Sequence, residues 1–220
     1  MEKLAIIFDM DGVIIDNTYY HSLTWQKFAK DLGKKISLKF VREKFIGRLG
    51  REIMKDYFYP KATQKQLLKI DARREAVYRK IYASHIRPVK GLPEFLQHLK
   101  EEGIKVAMAT AAPPANVKFV LGRTGLSKYF PVIVDATGVK VGKPNPDIFL
   151  KAAKKLKSKP SNCIVFEDAL HGIEAAKRAG MKVVGIATSH KPKEIAHADM
   201  VIKDFSKINL PKLLKLISKK

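Results

Sequence analysis

The sequence predicts an α/β protein: a doubly wound parallel sheet with an all-helical segment inserted after its first strand. Three observations predict it. The chain opens on an unbroken apolar run, Leu4-Ala5-Ile6-Ile7-Phe8, the pattern of a strand buried on both faces. From about residue 17 to 84 the apolar residues recur at helical spacing. From Pro88 onward helical and strand patterns alternate, which argues parallel strands joined by helices. These boundaries give a core of residues 1–15 and 85–220 and an inserted helical domain of residues 16–84. A length of 220 residues suits one such core with a small insertion.

Each element follows from its own pattern. Tyr20, Leu23, Trp25 and Phe28 mark a first helix ending near Gly33. Phe40, Val41 and Phe45 mark a second. Ile53, Met54, Tyr57 and Phe58 mark a third, halted before Pro60, and Leu67 to Ile81 carry a long fourth. In the core, Pro93 to Lys100 reads as a helix closed by Gly103, and Lys105 to Ala109 as a strand leading to Thr110. Asn116 to Leu121 is helical and Val132 to Val134 a short strand. A helix over Asp147 to Leu156 precedes a strand, Ile164 to Phe166, that ends in Glu167-Asp168. A helix from Gly172 to Ala179, a strand from Val183 to Ile186, a short strand at Val201-Ile202 and a helix from Leu210 to Ile217 complete the chain. No internal repeat or low-complexity linker interrupts it.

Open sheets of this Rossmann-like kind bind ligands beyond the C-terminal ends of their strands. Polar residues gather at those ends or in the loops beside them: Asp9 and Asp11, Thr110, Lys143, and Glu167 with Asp168. Alternation along a strand points Asp9 and Asp11 the same way, about 7 Å apart. Two carboxylates ending an apolar strand are costly unless a cation or a proton shares them. The pattern points to a hard-metal site beside a nucleophile.

Composition narrows the setting. The formal net charge is +22, with 43 Lys+Arg against 21 Asp+Glu. Lysines concentrate at Lys151, Lys154, Lys155, Lys157 and Lys159, and at Lys207, Lys212, Lys215, Lys219 and Lys220. No aromatic platform is interleaved with them and no recognition motif accompanies them, so no specific nucleic-acid partner is expected. A solvated basic surface that steers phosphorylated substrates is the simpler reading. No apolar run approaches the roughly 18 to 20 residues a bilayer requires, so no membrane partner is expected. The N-terminus runs straight into a strand without signal-peptide features. Cys163 is the only cysteine and sits in an apolar run, as a core residue does. A reducing cytoplasm is expected, because one cysteine forms no internal disulfide, and a monomer is expected.

Phe8-Asp9-Met10-Asp11-Gly12-Val13, Ala109-Thr110-Ala111, Gly142-Lys143-Pro144-Asn145-Pro146-Asp147 and Glu167-Asp168 together resemble, in order, the four motifs of the haloacid dehalogenase superfamily. Gly172 to Met181 resembles the helix after the last motif in its β-phosphoglucomutase-like branch. The resemblance implies a Mg²⁺-dependent enzyme acting on a small phosphorylated substrate, a sugar phosphate above all. It implies Asp9 as nucleophile forming an aspartyl-phosphate and Asp11 as general acid and base. Mg²⁺ would be held by Asp9, Asp168, the backbone carbonyl of Asp11, and Glu167 directly or through water. Alternatively, Glu167 is a neighbour fixing the site. Thr110 and Ala111 would hold phosphate oxygens through a hydroxyl and two backbone amides. Lys143 would pair with phosphate and with Asp9. Ala169 follows Asp168 where relatives often carry serine, so a hydrogen bond to the metal site is expected to be missing.

The helical insert resembles a small cap that closes over the site. His21 and Trp25, one helical turn apart, would face the substrate; His21 as a packing or hinge residue is the alternative. In Gly47-Arg48-Leu49-Gly50-Arg51-Glu52 an arginine would grip the substrate's far end, Arg51 before Arg48, and Gly47 would also contact the substrate. Arg74 would add a second basic contact, and Asn116 a substrate contact or a helix-start role. Phosphatase and phosphoglucomutase share this machinery, a strict β-phosphoglucomutase being the narrower reading. A noncatalytic basic binding protein is the alternative of another class.

Overall fold

The structure, a computed structural model, describes residues 4–218; Lys219 and Lys220 lie outside the described residues. In chain order, strand β1 (Ala5–Phe8) is followed by helices α1 (Thr18–Asp31), α2 (Leu38–Lys44), α3 (Gly50–Ile53) and α4 (Gln64–Tyr82). Helix α5 (Leu92–Glu101), strand β2 (Lys105–Ala109), helix α6 (Pro114–Thr124) and strand β3 (Val132–Val134) come next. Helix α7 (Asp147–Lys155), strand β4 (Cys163–Glu167), helix α8 (Leu170–Arg178), strand β5 (Lys182–Ile186), strand β6 (Met200–Ile202) and helix α9 (Leu210–Ser218) follow.

The six strands form one parallel sheet in the order β3-β2-β1-β4-β5-β6. Strand β1 lies inside it, with Ile7 in register with Ala107 on one side and Val165 on the other. Every residue of β1 and β4 is buried, as a sheet covered on both faces requires. Alternation sorts their side chains. Ile6, Phe8, Ile164 and Phe166 pack with α5, α6 and α9, whereas Ala5, Ile7, Cys163 and Val165 pack with α7 and α8. The rings of Phe8 and Phe166 stack across neighbouring strands at 5.0 Å. The chain turns back on itself beside β1, so the C-terminal ends of β1, β2 and β4 border one crevice, the ligand-binding edge of such sheets.

Helices α1–α4 have their own apolar cluster, built on Trp25, Val41, Phe45, Ile46, Ile53, Met54 and Leu67. Helix α4 starts in a capping box: Gln66 N donates to the Thr63 hydroxyl, and Thr63 N to the Gln66 side chain. The sequence pattern gives one helix over Ile53 to Phe58; instead, α3 widens into a π-helical turn, Met54–Phe58. The wider turn brings Phe58 parallel to Trp25 at 5.9 Å and Tyr57 against Phe45 at 4.9 Å. Aromatic packing thus overrides the regular period. Two adjacent connections join this segment to the sheet, where Ile15 pairs with Pro88 and Val89 N donates to Ile14 O at 2.9 Å.

Candidate active site

Strand β1 ends at Phe8, and the Asp9 amide stays on the sheet by donating to Phe166 O at 3.0 Å. That bond places the Asp9 carboxylate beside the end of β4. Lys143, from the loop between β3 and α7, reaches it: Nζ lies 2.8 Å from Asp9 Oδ1 and 2.7 Å from Glu167 Oε2. All three residues are buried, as is Asp168. The second Glu167 oxygen accepts the amides of Asp168 and Ala169. Two structural glycines leave room for these carboxylates. A Cβ on Gly12 would lie 1.9 Å from Asp168 Oδ2, and one on Gly172 2.0 Å from the Glu167 carboxyl carbon.

Asp11 opens into the same cavity as Asp9 but is held differently. The Asn17 amide donates to Asp11 Oδ1 at 2.5 Å and to the Tyr78 hydroxyl at 2.6 Å, while Asn17 Oδ1 accepts the Gly12 amide. His21 stacks on Tyr78 at 3.8 Å, with Nε2 3.6 Å from Asp11 Oδ1. Two chemically like carboxyls are thereby driven apart. Burial pushes Asp9 well above the usual carboxylate range, against the pull of Lys143. Burial acts on Asp11 in the same sense, but His21 and Asn17 outweigh it and hold Asp11 below that range. On Lys143, burial opposes the charge, and Asp9 and Glu167 outweigh it and raise the ammonium's pKa. Strongly shifted acid strengths gathered in one cleft mark a candidate functional site.

The cavity is lined by Asp9, Asp11, Asp168, Thr110 and Ala111 below and by residues of α1–α4 above. Among the expected residues, His21, Trp25, Gly47 and Arg74 all reach it. Lys143 and Glu167 sit behind its floor. Arg51 does not reach it. Its guanidinium donates to three core carbonyls, of Ala136, Val139 and Lys140, at 2.7–3.0 Å. The arginine on the cavity wall is Arg48, paired with Asp56 at 2.6 Å. The core carbonyls take Arg51 away from the cavity, and the loop packs tightly against the core beside it. Gly47 adopts φ +83°, a left-handed conformation natural to glycine, and its Cα packs so close to Ala169 that a Cβ would lie 2.9 Å from the alanine's own. Asn116 is also elsewhere: it is fully buried and bridges the Glu75 carboxylate and the Arg79 guanidinium, each at 2.6 Å, tying α6 to α4. The amide expected to be free at Thr110 is spent on Val134 O at 2.9 Å, and the Thr110 hydroxyl accepts the Ala112 amide at 3.0 Å.

Ser189 and Asn17 were not singled out by the sequence reading. The Ser189 hydroxyl donates to Asp168 Oδ2 and lies 2.5 Å from the Thr18 hydroxyl. It supplies the hydrogen bond expected to be missing because Ala169 is not serine; Ala169 instead packs into the apolar cluster of the insert. The available signal was position: Ser189 follows β5 at the ligand-binding edge of the sheet.

Sinking three carboxylates and a lysine into one spot contributes nothing to packing. Folds bear that cost where chemistry is done, so the class is an enzyme built on a doubly wound sheet. Comparison with known proteins gives the family. The model of the haloacid dehalogenase-like hydrolases matches residues 4–180, and the chain belongs to that family. It is similar to the β-phosphoglucomutase of Bacillus subtilis, at 33% identity over 94% of this chain and 92% of that one. It is also similar to the chloroplastic 5-amino-6-(5-phospho-D-ribitylamino)uracil phosphatase of Arabidopsis thaliana, at 28% identity over 97% of this chain, although it spans only 57% of that relative's length. Among solved structures it matches a β-phosphoglucomutase from Clostridium difficile with a TM-score of 0.86 and 29% identity, over 99% of this chain and 97% of that one. The chain is thus an enzyme of the hydrolase or phosphoryl-transfer class, not the noncatalytic basic protein of the alternative reading. No helix among the described residues is long and apolar enough to cross a membrane.

The donor set fits the divalent metal general in this family. Carboxylate oxygens of Asp9, Glu167 and Asp168 all lie within 4.8 Å of one another. Three carboxylates against the one ammonium of Lys143 leave two negative charges unmatched, and hard oxygen donors suit a hard divalent cation. Burial, then Glu167 and Asp9, pushes the Asp168 carboxyl well above the usual range. Between the ordinary carboxylate value and these raised ones, the folded protein holds protons that the unfolded chain has released. This site's contribution to stability therefore falls as pH rises through that window. A bound cation replaces those protons, so its affinity rises with pH. The gain in Tm from saturating Mg²⁺ is expected to be larger at about pH 8 than at about pH 5.5. Melting curves with Mg²⁺ or chelator check this, and a pH-independent gain would remove the metal from these carboxylates.

Proposed function

We propose that the protein catalyses Mg²⁺-dependent phosphoryl transfer from small sugar phosphates through an aspartyl-phosphate on Asp9. Residues 16–84 serve as the cap over a core of residues 1–15 and 85–220. The observation that carries this reading is the pair Asp9 and Asp11, which open into one cavity, with Lys143 Nζ 2.8 Å from Asp9 Oδ1 and the carboxylates of Asp9, Glu167 and Asp168 gathered where they could hold a cation. Lys143, 2.8 Å from Asp9 Oδ1, favours the ionised carboxylate that attack requires, and a cation held by the neighbouring carboxylates would favour it further.

An oxygen of Asp9 attacks phosphorus, and the bond from phosphorus to the ester oxygen breaks. The substrate's phosphate is a like charge beside Asp11 and raises that carboxyl's affinity for a proton. In its protonated form Asp11 gives the proton to the departing oxygen. Asp11, now a carboxylate, takes a proton from the acceptor, and the acceptor oxygen displaces Asp9 from phosphorus. Water as acceptor yields inorganic phosphate; a sugar hydroxyl yields an isomerised sugar phosphate. The Thr110 hydroxyl, whose oxygen is held by the Ala112 amide, donates its proton to a phosphate oxygen, and the Ala111 amide holds another. Mg²⁺, held by Asp9, Asp168, the Asp11 carbonyl and Glu167 directly or through water, supplies charge neutralisation between phosphate and nucleophile. The basic surface steers phosphorylated substrates inward. A reducing cytoplasm is the matching compartment for Cys163, a lone, buried thiol pushed up to about 11 mainly by burial.

Acid quenching during turnover of a phosphate ester, then mass analysis of peptides, is expected to find the phosphoryl group on the peptide bearing Asp9. Turnover with the label elsewhere or nowhere would overturn the reading. Asp11→Asn is expected to lower kcat by about 10²-fold or more, the usual share of acid–base catalysis, while leaving Mg²⁺ binding in place. Steady-state rates and calorimetry test the two halves of that expectation.

A further inference from the structure

The cap side of the cavity holds a buried arginine whose charge is already matched. The guanidinium of Arg74 stacks over the Trp25 ring at 3.8 Å. Its Nε and Nη2 donate to Asp71 Oδ1 at 3.0 and 2.9 Å, and Nη2 also pairs with Glu75 Oε1. Arg74 is only 4% exposed and Glu75 5%. One donor is left over: Nη1 is buried without a hydrogen-bond partner, on a residue that lines the cavity. An unmet buried donor in a binding site is an address for an acceptor.

The charges decide which acceptor. One guanidinium against two carboxyls leaves the group no positive charge to spare, even where the buried Asp71 carboxyl, raised by burial, holds a proton. The second cationic side chain on the wall, Arg48, is matched by Asp56. Lys143 is taken by Asp9 and Glu167, and Arg51 by three backbone carbonyls. A second phosphate at the cap end would meet no unmatched positive charge among these side chains. A hydroxyl or carbonyl oxygen would satisfy Nη1 at no electrostatic cost. The arrangement is fixed, not incidental. Gly50 leaves the space that Asp71 fills, since a Cβ there would lie 2.0 Å from Asp71 Oδ2, and Asn116 of α6 holds the other Glu75 oxygen at 2.6 Å.

Resting on the proposed phosphoryl transfer, we infer that Arg74, neutralised by Asp71 and Glu75, reads an uncharged oxygen at the far end of the substrate. The enzyme thereby selects sugar monophosphates and discriminates against bisphosphates. A mutase cycle through a free bisphosphate is disfavoured by the same charges, which leaves water as the acceptor.

Matched pairs test this: glucose 6-phosphate against glucose 1,6-bisphosphate, and ribose 5-phosphate against ribose 1,5-bisphosphate, with Mg²⁺ and phosphate release as readout. The wild-type kcat/KM is expected to favour the monophosphate of each pair by at least about 10-fold. Glu75→Gln, alone and with Asp71→Asn, unmasks the guanidinium and is expected to shrink that ratio by about 10-fold. Arg74→Met is expected to lower kcat/KM on the sugar monophosphates by about 10- to 100-fold, and by a smaller factor on phenyl phosphate, which has no far oxygen. Wild-type preference for either bisphosphate, or equal rates within a pair, overturns the inference whether or not the variants fold. Equal loss by Arg74→Met on phenyl phosphate and sugar phosphates overturns it too. Absence of phosphate release from every ester overturns this inference, which makes water the acceptor; the phosphoryl-transfer reading falls with it only if no phosphorylated Asp9 peptide forms either.

Discussion

Asp9→Asn is expected to lower turnover of any phosphate ester by about 10⁴-fold or more, the scale of losing an attacking group, and to abolish the phosphorylated peptide. The fold should survive, for a physical reason visible in the site. Asp9, Glu167 and Asp168 crowd three buried carboxylates around one lysine, and the amide removes one negative charge while preserving shape. Lys143 keeps its bond to Glu167 at 2.7 Å. Without Mg²⁺ the variant should melt at or above the wild-type temperature; with Mg²⁺ its stabilisation should be smaller. A folded Asp9→Asn protein with near wild-type turnover would place the nucleophile elsewhere.

Lys143→Met should damage folding and activity together. The lysine is fully buried in the floor of the site, its ammonium also 4.9 Å from the Phe149 ring centre. Methionine restores the apolar stem but removes the ammonium that touches Asp9 and Glu167. Breaking a buried ion pair from one side costs about 3–5 kcal/mol, or roughly 6–20 °C in Tm for a chain of this size. The orphaned carboxyls can escape by taking up protons, so the loss should be smallest at low pH and grow as pH rises. Mg²⁺ should recover part of the stability but not the activity. Thermal melts across pH, with and without Mg²⁺, measure this; a Tm within a degree or two of wild type at neutral pH would show that the lysine's charge carries no stabilising load.

Much of the architecture could be read along the chain. The unbroken apolar run of β1, the helical period of α4 and the alternation after Pro88 are local signals, and local sterics and burial fix them. The chemistry at strand ends was legible for the same reason, since Asp9, Thr110 and Glu167-Asp168 each stop an apolar run. The exceptions lie where distant residues compete for one group. Arg51 and Arg48 are near neighbours in one loop, and nothing in their spacing tells which faces the cavity; the carbonyls of residues 136–140 take Arg51. The π-helical turn at Met54–Phe58 likewise answers to Trp25 and Phe45, not to its own sequence.

The sequence by itself determined the parallel core, the helical insertion and the gathering of carboxylates, hydroxyl and lysine at the strand ends and their loops, because hydrophobic period and strand-end position are properties of neighbouring residues. Only the tertiary structure decided how those charges are matched: Lys143 between Asp9 and Glu167, Ser189 on Asp168, Asn17 on Asp11, and Arg74 between Asp71 and Glu75. Most of these partners come from remote parts of the chain, and even the local Arg74 group owes its meaning to the cavity it faces. A charge's strength and availability are set by burial and by what stands within a few ångströms, and that distance exists only once the chain has folded.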